Sequence, residues 1–149
     1  MFSKTTEYAL RATIYIAQKG TKDNKLKIGE IAKGIDSPQH FTAKILQMLA
    51  KDNRVVSSLK GPNGGFYITE RSKKLPARAI LEAMNDEEIL KRCIMGLRHC
   101  NEKNPCPMHK DFKAIRDHLT MLFEKKTIGS LADKMNKDNI FINNSKGIK

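Results

Sequence analysis

Residues 37–70 read SPQHFTAKILQMLAKDNRVVSSLKGPNGGFYITE, and the change of period inside this stretch decides the fold. Over its first half Phe41, Ile45, Met48 and Leu49 recur at spacings of four, three and one, the inner stripe of an amphipathic helix. Ser37 suits the N-cap, and Pro38 suits the first helical position, where a missing N–H costs nothing. From Arg54 the pattern changes. The run at 54–59 is rich in β-formers, Gly61-Pro62-Asn63-Gly64-Gly65 makes a turn, and Phe66-Tyr67-Ile68 returns, which predicts a hairpin. Just upstream, KIGEIAKGI (27–35) is a short amphipathic helix with Ile28, Ile31 and Ala32 on one face. Two helices joined by a tight turn form a helix-turn-helix. Alone, the hairpin would be an ordinary surface ribbon; directly after this helix pair it reads as the wing of a winged helix.

The remainder of the chain is mainly helical. TTEYALRATIYIAQ (5–18) is apolar or small on almost every side, as a helix buried against several neighbours requires, and Lys19-Gly20 ends it. LPARAILEAMND (75–86) carries helical spacing at Ile80, Leu81 and Met84. From Pro107 to about Lys126, Met108, Phe112, Ile115, Leu119 and Leu122 step by four, three, four and three, a heptad-like seam. A helix of that length outruns the core of a small winged helix, so the seam is expected to face a second copy of the chain, against the alternative of an ordinary core helix. TIGSLADK (127–134) suits a last short helix capped near Thr127. The expected class is mainly α with a small β-hairpin: a winged helix-turn-helix over 1–75, a cysteine-containing sensor loop and long dimerisation helix over 76–135, and a flexible basic tail over 136–149.

Twenty-eight Lys and Arg against 16 Asp and Glu give a formal charge of +12. Residues 1–75 hold 14 of the basic and 6 of the acidic groups, so the excess sits with the helix-turn-helix. Such a field attracts polyanions, because neutralised phosphates release counterions. No glycine-rich phosphate loop, Ser-His-Asp order or metalloprotease helix is present, and Asp86-Glu87-Glu88 reads as decoration of a helix start, so no enzyme is expected. No stretch approaches the roughly 20 apolar residues that span a bilayer, and no signal-peptide core opens the chain. A cytoplasmic protein with no membrane partner is expected.

All three cysteines lie in RCIMGLRHCNEKNPCPMH (92–109). Six residues separate Cys93 from Cys100, five separate Cys100 from Cys106, and two separate Cys106 from His109. Reduced compartments disfavour a disulfide framework. Structural zinc takes ligands in close pairs, and no Cys-x-x-Cys is present. Wider gaps suit a polynuclear cluster fed from several directions by a flexible loop. An iron-sulfur cluster, a cluster-free thiol sensor, and zinc on Cys93, Cys100, Cys106 and His109 all stay open on spacing alone.

TEYALRATIYIA, SPQHFTAKILQML, KGPNGGFYI and three cysteines before a long helix ending in TIGSLAD together resemble the Rrf2 family of bacterial winged-helix transcription regulators, the family of IscR and NsrR. The resemblance covers about residues 1–135. It implies a homodimer, joined through the long helix, that binds a palindromic operator in double-stranded DNA. Base-reading positions then fall on Ser37, Pro38, Gln39 and His40, with Lys44 one turn on; Gln39 suits a bidentate contact to adenine. Lys60, Gly61, Pro62 and Asn63 fall along the backbone or minor groove. The resemblance further implies an iron-sulfur cluster, 2Fe-2S or 4Fe-4S, on the three cysteines. The fourth ligand is either His109, as in two-iron members, or Glu7 of the partner protomer, as in four-iron members. One extra residue between Cys93 and Cys100 departs from the family pattern.

Overall fold

The computed structural model describes residues 1–137 and 140–143. In chain order it contains α1 (Lys4–Lys19), α2 (Ile28–Ile35), α3 (Gln39–Leu49), β1 (Ser57–Leu59), β2 (Gly65–Tyr67), α4 (Glu70–Lys73), α5 (Arg78–Ala83), α6 (His109–Lys125) and α7 (Ile128–Lys137), with 3-10 turns at Lys51–Asn53 and Glu88–Leu90. This is the expected mainly helical architecture with one antiparallel hairpin. Its strands pair Ser57 with Tyr67, Ser58 with Phe66 and Leu59 with Gly65.

α1 forms the central post. Thr6, Ala9, Ala12, Thr13, Ile16 and Ala17 are all buried, which explains why its sequence is small or apolar on most sides. The side chains of Ile16, Ile31, Ile35, Ile45, Leu46, Leu49, Val55, Val56, Ile80 and Ile128 are fully shielded and join α1, α2, α3, α5 and α7 into one core. Gly34 lets α2 approach α1: a Cβ there would lie 2.3 Å from Tyr15 Cζ. The N-terminal end of α1 is held through Ser3. Ser3 Oγ accepts from the Thr6 N–H, and Asp86 accepts from the Ser3 N–H at 3.0 Å. Burial pushes the Asp86 carboxyl up, but the bonds from Ser3 and Thr6 and the charge of Arg92 outweigh it and hold it below its ordinary value.

The second helix of the motif departs from the expected stripe. Thr42, Ile45, Leu46 and Leu49 are its buried side chains, whereas Phe41 is 43% exposed and Met48 half-buried. Thr42 can be buried because its hydroxyl lies 3.0 Å from both Pro38 O and Ser37 Oγ. The same arrangement corrects the start of the helix. α3 begins at Gln39 with Pro38 in the cap position and no side-chain cap bond, and Ser37 is engaged with Thr42 rather than with the helix N–H groups.

The helix expected from Pro107 to Lys126 spans His109 to Lys125, and none of its 17 residues is buried. At about 1.5 Å per residue it is some 25 Å long. It is rooted by Phe123, whose ring meets Phe2 edge-on at 5.4 Å, and by Arg78, which reaches Glu124 at 2.7 Å. At α7, Ser130 N–H donates to Thr127 Oγ1 at 3.1 Å, the expected cap. Of the tail, residues 138, 139 and 144–149 lie outside the described residues. Ile142 packs against the core, and Asn143 Nδ2 donates to Lys33 O and Gly34 O, both at 2.9 Å.

Candidate nucleic-acid surface and cysteine site

Pro38, Gln39, His40 and Lys44 are exposed along the first turns of α3, with Ser37 half-buried beside them. The His40 ring lies against the displaced Phe41, centroids 4.7 Å apart. Lys60, Gly61, Pro62 and Asn63 are exposed at the wing tip. The expected contact residues are thus accessible, apart from Ser37. Lys27, the residue before α2, was not among them. Its Nζ donates to Pro62 O at 3.2 Å and to Gly64 O, tying the wing tip to the start of the helix-turn-helix.

The cysteine segment is a loop whose turns bring distant residues together. Arg116 of α6 donates to Lys91 O at 3.0 Å and Arg92 O at 2.9 Å, fixing the approach to Cys93. Asn101 Oδ1 accepts from the N–H groups of Lys103 and Asn104, each at 2.9 Å, and turns the chain back toward Cys106. The Cys106 carbonyl accepts from the His109 N–H at 3.0 Å as α6 starts. The three sulfurs consequently lie within 4.8 Å of one another, with residue Cys93 buried and the other two half-buried. Cys93 and Cys106 are closest, with sulfurs 3.6 Å apart. The longer first gap therefore does not keep Cys93 away from its partners.

His109 flanks this set rather than joining it. Its Nδ1 lies 3.2 Å from Cys100 Sγ, while its Nε2 is buried with no hydrogen-bond partner among the described residues. Glu7 is exposed on α1 and pairs with Lys4 at 3.5 Å. Hydrogen bonding from the backbone of Leu97 brings the Cys93 thiol down to about 7, against burial and with help from Met95 and the other two sulfurs. At Cys100 the N–H of Cys106, 3.4 Å away, favours the thiolate, but burial and the neighbouring sulfurs outweigh it and push the thiol up. Three converging sulfurs beside an imidazole with an unsatisfied buried nitrogen form a donor set that suits an iron-sulfur cluster and also the Cys-three-His set of zinc. Arg116 and Asn101 are the residues that the sequence reading missed. Asn in a proline-flanked loop was a usable turn signal; the reach of Arg116 across 24 positions was not.

Over residues 2–134 the sequence matches the Rrf2 family, described as an iron-dependent transcriptional regulator. A protein of Aquifex aeolicus (strain VF5) described as an HTH-type transcriptional regulator is 34% identical over 133 residues, covering 88% of this chain and 90% of the relative. The regulator IscR of Escherichia coli O1:K1 / APEC is 22% identical over 126 residues, or 85% of this chain and 76% of that protein. Among solved structures, CymR (YrzC), the global cysteine regulator of B. subtilis, superposes with a TM-score of 0.72 at 19% identity, covering 89% of this chain and 96% of that one. IscR of T. potens gives 0.70 at 12% identity, covering 94% and 91%. With its helix-turn-helix, its wing and a family match over nearly its whole length, the chain belongs to the Rrf2 family of transcriptional regulators.

Proposed function

We propose that the chain works as a homodimer that binds a palindromic operator, and that an iron-sulfur cluster on Cys93, Cys100 and Cys106 modulates this binding. The convergence of the three sulfurs within 4.8 Å, in a loop anchored to α6, is the observation that carries the reading. His109 supplies the fourth ligand, standing at the start of α6 directly after the loop with its ring 3.2 Å from Cys100 Sγ; Glu7 of a second protomer is the rival. A bound cluster adds redox and ligand-exchange chemistry at this loop. The chain's own part is to hold the thiolates together and pass the order of residues 92–109 to α6.

The uncovered seam of α6 supports the homodimer: Met108, Ile115 and Leu122 are 47%, 63% and 48% exposed, with Phe112 and Leu119 half-buried beside them. Gln39, His40 and Lys44 read the major groove, and Lys60, Gly61, Pro62 and Asn63 follow the backbone. Two such units engage half-sites about one helical turn apart. Anaerobically purified protein should be coloured and carry iron and sulfide in defined ratio, and removing them should change operator affinity. Colourless, iron-free protein that binds DNA as well as the reconstituted form would overturn the cluster reading. It would favour the thiol-based alternative, which the 3.6 Å approach of Cys93 and Cys106 supports.

A further inference from the structure

The lysine at the start of α2 has an unusual set of partners for a residue in so basic a region. Lys27 occupies the N-cap position of α2, its side chain makes no cap bond there, and its carbonyl accepts from the Ile31 N–H at 3.1 Å. Its ammonium is turned instead onto Pro62 O and Gly64 O, two carbonyls of the wing tip some 35 positions along the chain. These carbonyls have no strand partner, because β2 begins only at Gly65. The neighbouring residue locks the base of the same ribbon. Leu26 and Phe66 exchange both backbone hydrogen bonds at 2.8 Å. Gly65 makes this approach possible, since its φ is +150° and a Cβ would lie 2.7 Å from Leu26 O.

A two-stranded ribbon of three residues per strand has little stability of its own. The wing angle is therefore set by what lies under it. Leu26 fixes the base through backbone bonds, and Lys27 fixes the tip through charge-assisted ones. We propose that Lys27 is a positioning residue for DNA binding: it orients the wing so that Lys60 and Asn63 meet the duplex, and does not itself act as a phosphate contact. This rests on the reading of the wing as a DNA-contacting element. It separates Lys27 from the lysines that serve only as diffuse positive charge, because two of its three donors are occupied before any nucleic acid arrives.

The test uses full-length protein and the duplex that the wild-type chain enriches from a random-sequence pool. Hydrogen exchange of the wing amides of Gly61, Asn63, Gly64 and Gly65 is measured first, without DNA, in wild type and K27M; methionine keeps the stem and removes the donors. The exchange in K27M should quicken at the wing and stay unchanged in α1 and α3, and K27R should restore protection. Affinity is then measured across a salt series for wild type, K27M, K60M/N63A and the triple variant. K27M should weaken binding by about three- to tenfold, the lower part of the range of coupling between neighbouring side chains, and add nothing to K60M/N63A. Unchanged wing exchange in K27M would overturn the proposal. So would additive losses with a salt slope lower by about one in the triple variant than in K60M/N63A, the signature of a separate phosphate contact. A wild type that enriches no duplex would refute the DNA reading of the wing while leaving the exchange result to stand alone.

Discussion

Replacing Arg78 by Ala should loosen α6 from the winged helix, and its size follows from the contacts. The guanidinium reaches Glu124 of α6 at 2.7 Å, Glu87 at 3.4 Å and Glu82 of its own helix at 3.7 Å. The Arg78, Glu87 and Glu82 side chains are 24%, 24% and 29% exposed, so those pairs are partly shielded; Glu124 is 50% exposed. A hydrogen bond between charged groups contributes about 1.5–3 kcal/mol when shielded, while an exposed ion pair contributes about 0.2–1. The pair with Glu124 is discounted toward the exposed value, and the two longer pairs are weaker still. The total is about 2 kcal/mol, or a fall in melting midpoint of about 4–8 °C for a chain of this size. Glu82 keeps a partner, because Arg54 holds it at 2.6 Å. Urea melts of wild type and R78A at equal protomer concentration measure the difference. At about 1 M salt, where screening acts over some 3 Å, the gap should narrow. A loss under about 0.5 kcal/mol at low salt, the scatter of neutral surface substitutions, would refute the assignment of Arg78 as the anchor of α6.

Further outcomes are expected at the cysteine loop and the seam. Cys106→Ser should abolish the visible absorption and iron content of anaerobically reconstituted protein; retention of both would remove Cys106 from the ligand set. In metal-free, reduced protein the Cys93 thiol is lowered from its ordinary 9.0 to about 7, so its alkylation should rise between about pH 6 and 8, with peptide mass spectrometry locating the site. The thiolate's contribution to stability has the matching sign, complete above pH 9 and lost as pH falls through 7; a Cys93 rate that rises only above pH 8 would contradict it. Ile115→Glu places a charge on the seam at a residue 63% exposed, so on the proposed homodimer reading sedimentation should show a shift to monomer while protomer stability changes by less than about 0.5 kcal/mol. Unchanged sedimentation would place the dimer contact elsewhere.

The elements that sequence periodicity located are those whose signal is local. The switch from helical spacing to a β-rich run at Arg54, followed by Gly-Pro-Asn-Gly-Gly, needs no tertiary information, and the hairpin lies where it predicts. The exposed seam of α6 was equally legible, because a heptad pattern states what the helix lacks as well as what it has. Phe41 and Thr42 show the opposite case. Apolar patterning favours Phe41 for the core, yet the buried position goes to Thr42, whose hydroxyl is satisfied by Pro38 O and Ser37 Oγ. α4, with four residues, is too short for a periodic signal. The cysteine count was visible, but the convergence of the sulfurs depends on Arg116, and the root of α6 on a pair 46 positions apart in sequence. Such contacts form only after the helices have packed.

The same long-range contacts define a route from the cysteines to the helix-turn-helix. Arg116 holds the carbonyls of Lys91 and Arg92 next to Cys93, and Lys91 pairs with Glu87 at 3.4 Å. Glu87 shares Arg78 with Glu124 of α6, and the adjacent Asp86 accepts from Ser3 at the start of α1. From α1, Arg11 donates to Ile35 O at the end of α2, at 2.9 Å. The two ends of this route differ in what secures them. α1 buries six residues in the core, whereas α6 buries none and rests largely on polar contacts and one aromatic pair. Loosening the loop therefore disturbs the root of α6 before it disturbs α1, since the α6 contacts are the weaker set. On the proposed reading, the signal then appears as a changed separation of two intact winged helices. Distances between spin labels on α3 of the two protomers should shift on cluster loss while the hydrogen exchange of α1 stays constant; loss of protection in α1 would instead mean that the loop acts by unfolding the DNA-binding unit.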